Sequence, residues 1–370
     1  EEYVLYSDEL TFGKDFFPPE SAYSWLYSGN MFLMTERYRI AIFRLMIILI
    51  LPAALRAFNI ILFWKHAYTR NAKVIAAVAT AGIFLSYAVS RTAIPANAGT
   101  RSYIFDMCVI NAYVLVYWIH ATLTQNKSEP KTQSLYILCA ILMISFLISL
   151  APQIKFSAFP SALAILLILG IILIVRKKYK ELGVFYSSYV IFTCLLWMAA
   201  GEKLEYMLPY AKSQLQWAGS CYSEIMSFPL YTGSGTIEDF IFAILLCILY
   251  AIVLVYFLKK DCTKAVSWFI IAPLIYINAR YAFTRSDLIH TRTFMISTVY
   301  ITAFYLLLII QEVENQKPET YYTERFSKIN QKLCPSILIL LLLPAITNNG
   351  WYPMSTIGED YEALGSFEKY

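Results

Sequence analysis

Two short polar stretches hold the side chains best suited to chemistry in this chain. The first runs from Ser7 to Tyr27 and carries Asp8, Glu9 and Asp15 among aromatic residues and the pair Pro18-Pro19. A carboxylate there can act as a general base on an acceptor hydroxyl or ligate a metal ion. The second is Arg285-Ser-Asp-Leu-Ile-His290-Thr-Arg292. Its two guanidiniums are planar, fixed forks of hydrogen-bond donors. His290 can supply a proton or a hydrogen bond beside them. Asp287 precedes His290 by one helical turn, so a helix starting there places both on one face. Asp287 also suits an N-cap and the positive end of that helix. Capping alone leaves the arginines and the histidine around it unexplained.

Both stretches lie between apolar segments that must position them. About ten such segments are long enough to cross a bilayer. They fall near 40–64, 74–92, 101–122, 134–150, 157–175, 184–205, 238–258, 265–283, 293–311 and 334–348. The fourth and the last are short. None shows the alternation of a membrane β-strand, so the predicted fold class is all-α, a polytopic transmembrane helix bundle. The loops after odd-numbered spans are basic: Lys65–Lys73, Lys127–Lys131, Arg176–Lys180, Lys259–Lys264 and Lys317–Lys332. The positive-inside bias makes these cytoplasmic and puts both polar stretches outside. The organisation expected is an extracytoplasmic loop at 1–38 with an amphipathic segment at Tyr23–Met34, a helical domain at 39–348, and the start of an extracytoplasmic segment at 349–370. A first residue lying outside leads us to expect a further helix before Glu1.

Composition agrees with the membrane reading. Hydrophobic residues make up 59% and charged residues 15%, with mean hydropathy +0.56, against about 25% charged in a soluble domain. Many of the 29 tyrosines sit near span boundaries, where amphipathic rings collect. The net charge of +5 is accounted for by the cytoplasmic loops. With no basic-aromatic patch and no glycine-rich phosphate loop, no nucleic-acid partner is expected. The seven cysteines form no CxxC pair, and three scattered histidines make no metal site by spacing. Cys108, Cys139, Cys194 and Cys247 read as small apolar residues of the helix packing.

Polar residues inside spans are costly in lipid and point to a cavity. Arg56 with Asn59, Asp106 with Asn111, Glu202 with Lys203 and Glu205, and Asn278 with Arg280 are the examples. Glu202–Glu205 opens the longest outer loop, Tyr206–Ile237, which has the length for a lid. Trp25, Tyr27, Trp217 and Tyr222 suit either sugar stacking or interfacial anchoring.

The run Gly13-Lys-Asp-Phe-Phe-Pro-Pro19 is followed by aromatics and a first span led by Arg37, Arg39 and Arg44. It resembles the first extracytoplasmic loop of many bacterial GT-C glycosyltransferases. Arg285-Ser-Asp-Leu-Ile-His290 resembles the Arg-x-Asp-x-x-His element at the outer end of a late span in some of those families. The likeness covers the membrane region in topology and only these short runs in sequence. It implies a GT-C-like enzyme of the bacterial inner membrane, with its site facing outside. Its partners would be membrane lipid and a polyprenyl-phosphate-linked sugar, transferred to a cell-envelope glycan, lipid or protein.

The implied catalytic carboxylate lies in the first outer loop: Asp15, with Asp8 and Glu9 as alternatives. This chain departs from the family in lacking the preceding helix, which leaves an acid upstream of Glu1 as a further candidate. The implied cations for the donor phosphate are Arg285, His290 and Arg292, joined by Arg91 and Arg101 flanking the second outer loop. Asp287 is either cap or site residue. A divalent metal is compatible with such a site, and no motif in the sequence specifies one.

Two other readings compete. An O-antigen polymerase or ligase would carry a large late loop rich in arginine, and the 206–237 loop has none. A lipid or polysaccharide transporter would carry midplane charges in paired broken helices, which are sparse here. The topology is checked by cysteines placed singly at Thr11, Gly233 and Ser286. An impermeant thiol reagent labels these in intact cells and spares one at Lys178; the reverse pattern moves both polar stretches to the cytoplasm.

Overall fold

The computed structural model describes residues 51–65, 73, 76–77, 99–124, 131–200, 202–219, 237–260 and 262–285. Among these, every element is helical. The chain divides into two compact units, one of Glu1–Ile50 with Arg101–Phe294 and one of Leu51–Thr100 with Met295–Tyr370. The second unit contributes α1 (Leu51–Lys65), which buries Leu55 and exposes Ile61 and Trp64.

The first unit holds the rest. Helix α2 spans Gly99–Thr124 and α3 spans Lys131–Ile154. A 3-10 turn at Phe156–Ala158 leads into α4 (Phe159–Val175), followed by α5 (Tyr179–Ala199). A second 3-10 turn at Leu204–Tyr206 precedes α6 (Met207–Gly219), α7 (Ile237–Lys260), α8 (Cys262–Phe269) and α9 (Ala272–Arg285). Among the described residues, three stretches are long and apolar enough to cross a membrane: Ser134–Ile154, Phe156–Val175 and Tyr179–Ala199.

Local sequence explains the helix ends. Pro160 sits in the first turn of α4, where its missing N–H leaves nothing unpaired. The α4–α5 turn closes through Lys177 in the left-handed region (φ 57°). Lys178 N–H donates to Leu173 O at 2.9 Å and Lys177 N–H to Ile174 O at 2.9 Å, the paired bonds of a Schellman cap. Three successive cations there also favour the negative end of the α4 dipole.

The fourth predicted span is longer than its hydropathy suggested. It runs through Pro152, which lies in the last turn of α3 and so removes one hydrogen bond rather than breaking the helix. The predicted span at 265–283 is instead two helices. Pro273 has no N–H to give Phe269, Ile271 N reaches only to Trp268 O at 3.4 Å, and regular bonding resumes with Ile275 N to Ile271 O at 3.1 Å. Trp268 fixes the break against α7. Its Nε1 donates to Tyr250 O, Tyr250 OH donates back to Trp268 O, both at 3.0 Å, and the rings stack at 5.3 Å. The cysteine reading holds for buried Cys108, whereas Cys139 and Cys247 face outward from their helices.

The core of the unit is the pairing of α3 with α5. Ser145 Oγ donates to Phe185 O at 3.2 Å, Ser149 Oγ to Tyr189 O at 3.1 Å, and Gln153 Nε2 to Thr193 O at 3.0 Å. Each pair is 40 residues apart, so the two helices run parallel in constant register. Ser188 Oγ and Thr193 Oγ1 complete the ladder, at 2.8 Å from Ser145 Oγ and 3.1 Å from Ser149 Oγ. Small hydroxyl residues let the backbones approach while satisfying themselves on carbonyls that still have a free lone pair. A similar close approach occurs where the Tyr186 hydroxyl crosses Gly170 and bonds Leu166 O at 3.2 Å.

Parallel α3 and α5 give the bundle two distinct ends. Arg176 Nη2 donates to Thr124 Oγ1 at 2.8 Å, joining the C-terminal ends of α2 and α4. His120 Nδ1 lies 3.1 Å from Ser267 Oγ, drawing α8 to that end as well. This is the basic end. The C-termini of α3 and α5 mark the other, distal end.

The ladder makes a graded prediction. Ser145 is fully buried between the helices, so Ser145→Ala lowers stability by about 1 kcal/mol: its bonds with Phe185 O and Ser188 Oγ are lost, and Ser188 Oγ still reaches Phe185 O. Ser145→Leu forces the helices apart and costs about 1–3 kcal/mol more. Thermal unfolding of the purified protein should rank wild type, Ala, Leu in that order. Equal midpoints for the two variants would mean the helices are not in close contact.

Candidate functional site

The distal end carries a cluster of polar and aromatic side chains that the sequence divided between separate segments. After α5 the chain turns back on itself. Glu202 N–H donates to Trp197 O at 3.3 Å, and Trp197 Nε1 donates to Lys203 O at 2.9 Å. This turn directs α6 onto the ends of α3, α4 and α5. Tyr210 of α6 packs against Trp197 with ring centroids 5.4 Å apart and meets Phe156 edge-on at 6.2 Å. Phe156 in turn stacks on Phe159 at 5.3 Å. Tyr210 of α6 is therefore fastened to a chain of aromatic rings from α5, the first 3-10 turn and α4.

Polar groups are buried at the same junction. Glu202 is 7% exposed and Gln153, in the last turn of α3, is 6% exposed; Gln214 of α6 is buried too. The Gln153 amide is held in one orientation, because Thr193 O can only accept and therefore takes the Nε2 hydrogen. Gln153 Oε1 is left buried without a protein hydrogen-bond partner, and so is Ser157 Oγ in the adjoining 3-10 turn. A buried acceptor without a donor costs about 1–3 kcal/mol. A buried amide oxygen, a buried hydroxyl, a buried glutamate at the same junction and several aromatic rings are groups that suit a hydroxyl-rich ligand. Rings take its C–H face and the polar atoms take its hydroxyls.

Two of the predicted site residues lie in described helices. Arg101 is in the first turn of α2 and Arg285 is the last residue of α9. Asp8, Glu9, Asp15, Arg91, Asp287, His290 and Arg292 lie outside the described residues, as do Trp25, Tyr27 and Tyr222. Among the other polar residues noted in spans, Asn111 is buried within α2, Asn278 is half-buried and Arg280 is exposed. Among the described residues, no group of three or more His, Cys, Asp or Glu side chains is placed to hold a metal ion.

The 206–237 loop, read from sequence as a lid, contains the helix α6, and its residues 220–236 lie outside the described residues. Sequence reasoning missed Gln153, Ser157, Phe156 and Tyr210. The available signal was the recurrence of Ser145, Ser149 and Gln153 at four-residue steps on an otherwise apolar helix. The second polar cluster, His120 with Ser267, Thr124 and Arg176, lies at the basic end and ties α2 to α4 and α8. No protein-family model, curated protein or solved structure matches this chain.

The aromatic cluster predicts how α6 is released. Tyr210→Ala removes the ring shared by Trp197 and Phe156, at the roughly 3–5 kcal/mol typical of emptied aromatic sites. Proteolysis within 204–236 should accelerate sharply in that variant, while Tyr210→Phe stays close to wild type. Unchanged cleavage in Tyr210→Ala would show that α6 is held by something other than this cluster.

Proposed function

We propose that this chain is an integral membrane glycosyltransferase of the GT-C type. It moves a sugar from a polyprenyl-phosphate donor to an extracytoplasmic acceptor across the outer surface of a bacterial inner membrane. The observation that carries the reading is the distal cluster: buried Gln153, Glu202 and free Ser157 Oγ under an aromatic-fastened helix, at the end of a bundle whose helices are long and apolar enough to cross a membrane. A lipid-linked sugar needs both features, an apolar surface for its chain and a polar, ring-lined recess for its head.

The chemistry assigns roles to the polar stretches. A first-loop carboxylate, Asp15 or its alternatives Asp8 and Glu9, takes the proton of the acceptor hydroxyl. The oxygen attacks the anomeric carbon while the bond from that carbon to the phosphate oxygen breaks on the opposite face. Arg285, His290 and Arg292, with Arg91 and Arg101, neutralise the departing polyprenyl phosphate. Gln153 and Glu202 orient sugar hydroxyls.

Transfer from a labelled polyprenyl-phosphate sugar, followed in membranes containing the full chain, tests these roles. Asp15→Asn should lower turnover by about 10²–10⁴-fold. Arg285→Ala and His290→Ala should weaken donor use, because their partner is the phosphate in both ground and transition states. Asp287→Ala as a pure cap loses about 1 kcal/mol of stability and keeps its turnover. Full activity in both the Arg285 and His290 variants would remove the phosphate site, and wild-type membranes with no transfer would remove the enzyme reading.

A further inference from the structure

The outer face of α6 carries a stripe of leucines, with Lys212 and Gln216 exposed beside it. Leu208 is 73% exposed and Leu215, two turns further on, is also exposed, as is Leu204 one turn before Leu208. The residues turned inward are Tyr210, at 4% exposed, and Gln214. A helix docked in water does the opposite, with its leucines against the protein and its glutamine outside. Along this stripe the leucines lie outside and Gln214 beneath, the reverse of a helix docked in water, while Lys212 and Gln216 flank the leucines.

The spanning helices show the same outward chemistry. Leu163, Leu167, Ile171 and Ile174 project from α4, and Ile191, Leu195 and Met198 project from α5. Leu204 and Leu208 follow Met198 within ten residues, so the apolar exterior of α5 is resumed by α6 after one turn of chain. Lys212 is also exposed on the leucine-bearing side of α6. A lysine set among leucines can bury its stem and lift its ammonium to phosphate level, the arrangement of a helix lying in the membrane interface.

We infer that α6 is an interfacial helix whose Leu204–Leu208–Leu215 face lies against phospholipid at the boundary of headgroups and acyl chains, with Lys212 at the phosphates. The roof over the distal cluster is thus held from both sides, by aromatic rings below and by lipid above. Lipid that reaches the cluster enters beside this helix rather than from the water. This reading depends on the membrane-spanning bundle and is independent of the donor chemistry proposed above.

Site-specific photo-crosslinking tests it. A benzophenone-bearing residue is introduced at Leu208, at Leu215 or, as a reference, at Lys178 of the full chain reconstituted in phosphatidylglycerol–phosphatidylcholine liposomes. Both leucines are exposed, so each variant is expected to fold, and elution as a single species checks this. After irradiation, Leu208 and Leu215 variants should gain the mass of one phospholipid several-fold more often than the Lys178 variant. Adduct yields no higher than at Lys178 would place the face in water. A crosslinked dimer, or a crosslink within the chain in place of lipid, would show that protein covers it. Either result overturns the inference, whether or not sugar transfer is observed.

Discussion

A polar group inside an apolar bundle must find its partner within the protein, and that requirement organises this structure around α3 and α5. Water is unavailable to the hydroxyls of Ser145, Ser149, Ser188 and Thr193, so each closes on a carbonyl or hydroxyl across a narrow helix–helix contact. Because the three side-chain-to-carbonyl bonds of the ladder share one 40-residue offset, sliding one helix along the other would unpair them together. The apolar residues around the ladder have no comparable register, since lipid and protein interiors are alike to a leucine. The ladder therefore fixes the parallel pairing, and the turn through Lys177 fixes α4 between its two ends.

The last rung shows how the same constraint leads to a site. Gln153 spends its amide hydrogen on Thr193 O and is left with a buried oxygen that no protein donor reaches. A purely structural residue at that place would be apolar or fully paired. The cost is tolerated at the end of the bundle where the chain also buries Glu202 and covers both with an aromatic-fastened helix. The basic end behaves differently: His120, Ser267, Thr124 and Arg176 are joined to one another and serve to hold helix ends together.

Proline shows how far single residues constrain the path of the chain. Pro160 begins a helix, Pro152 is carried in the final turn of another, and Pro273 separates α8 from α9. The covalent chemistry is identical in each case. The outcomes differ because the carbonyl left without a donor falls in a different place, and the segment before Pro273 is tied to α7 through Trp268 and Tyr250.

The sequence by itself determined that the chain is helical and apolar enough to cross a membrane. Those properties follow from run lengths and composition, which are local. It also marked the chemically capable segments and the long connection after α5, through charge and through the cost of Glu202 near a span. Tertiary structure decided which helix meets which, that the connection folds as α6, and that Gln153 and Ser157 join Tyr210 at one end. Serines spaced by four announce a polar stripe without naming the carbonyls they will meet. Leu208 and Tyr210 are two residues apart in sequence, and only the docking of α6 sends one outward and the other into the bundle. Periodicity specifies a face, but what that face touches is set by residues far away in the chain.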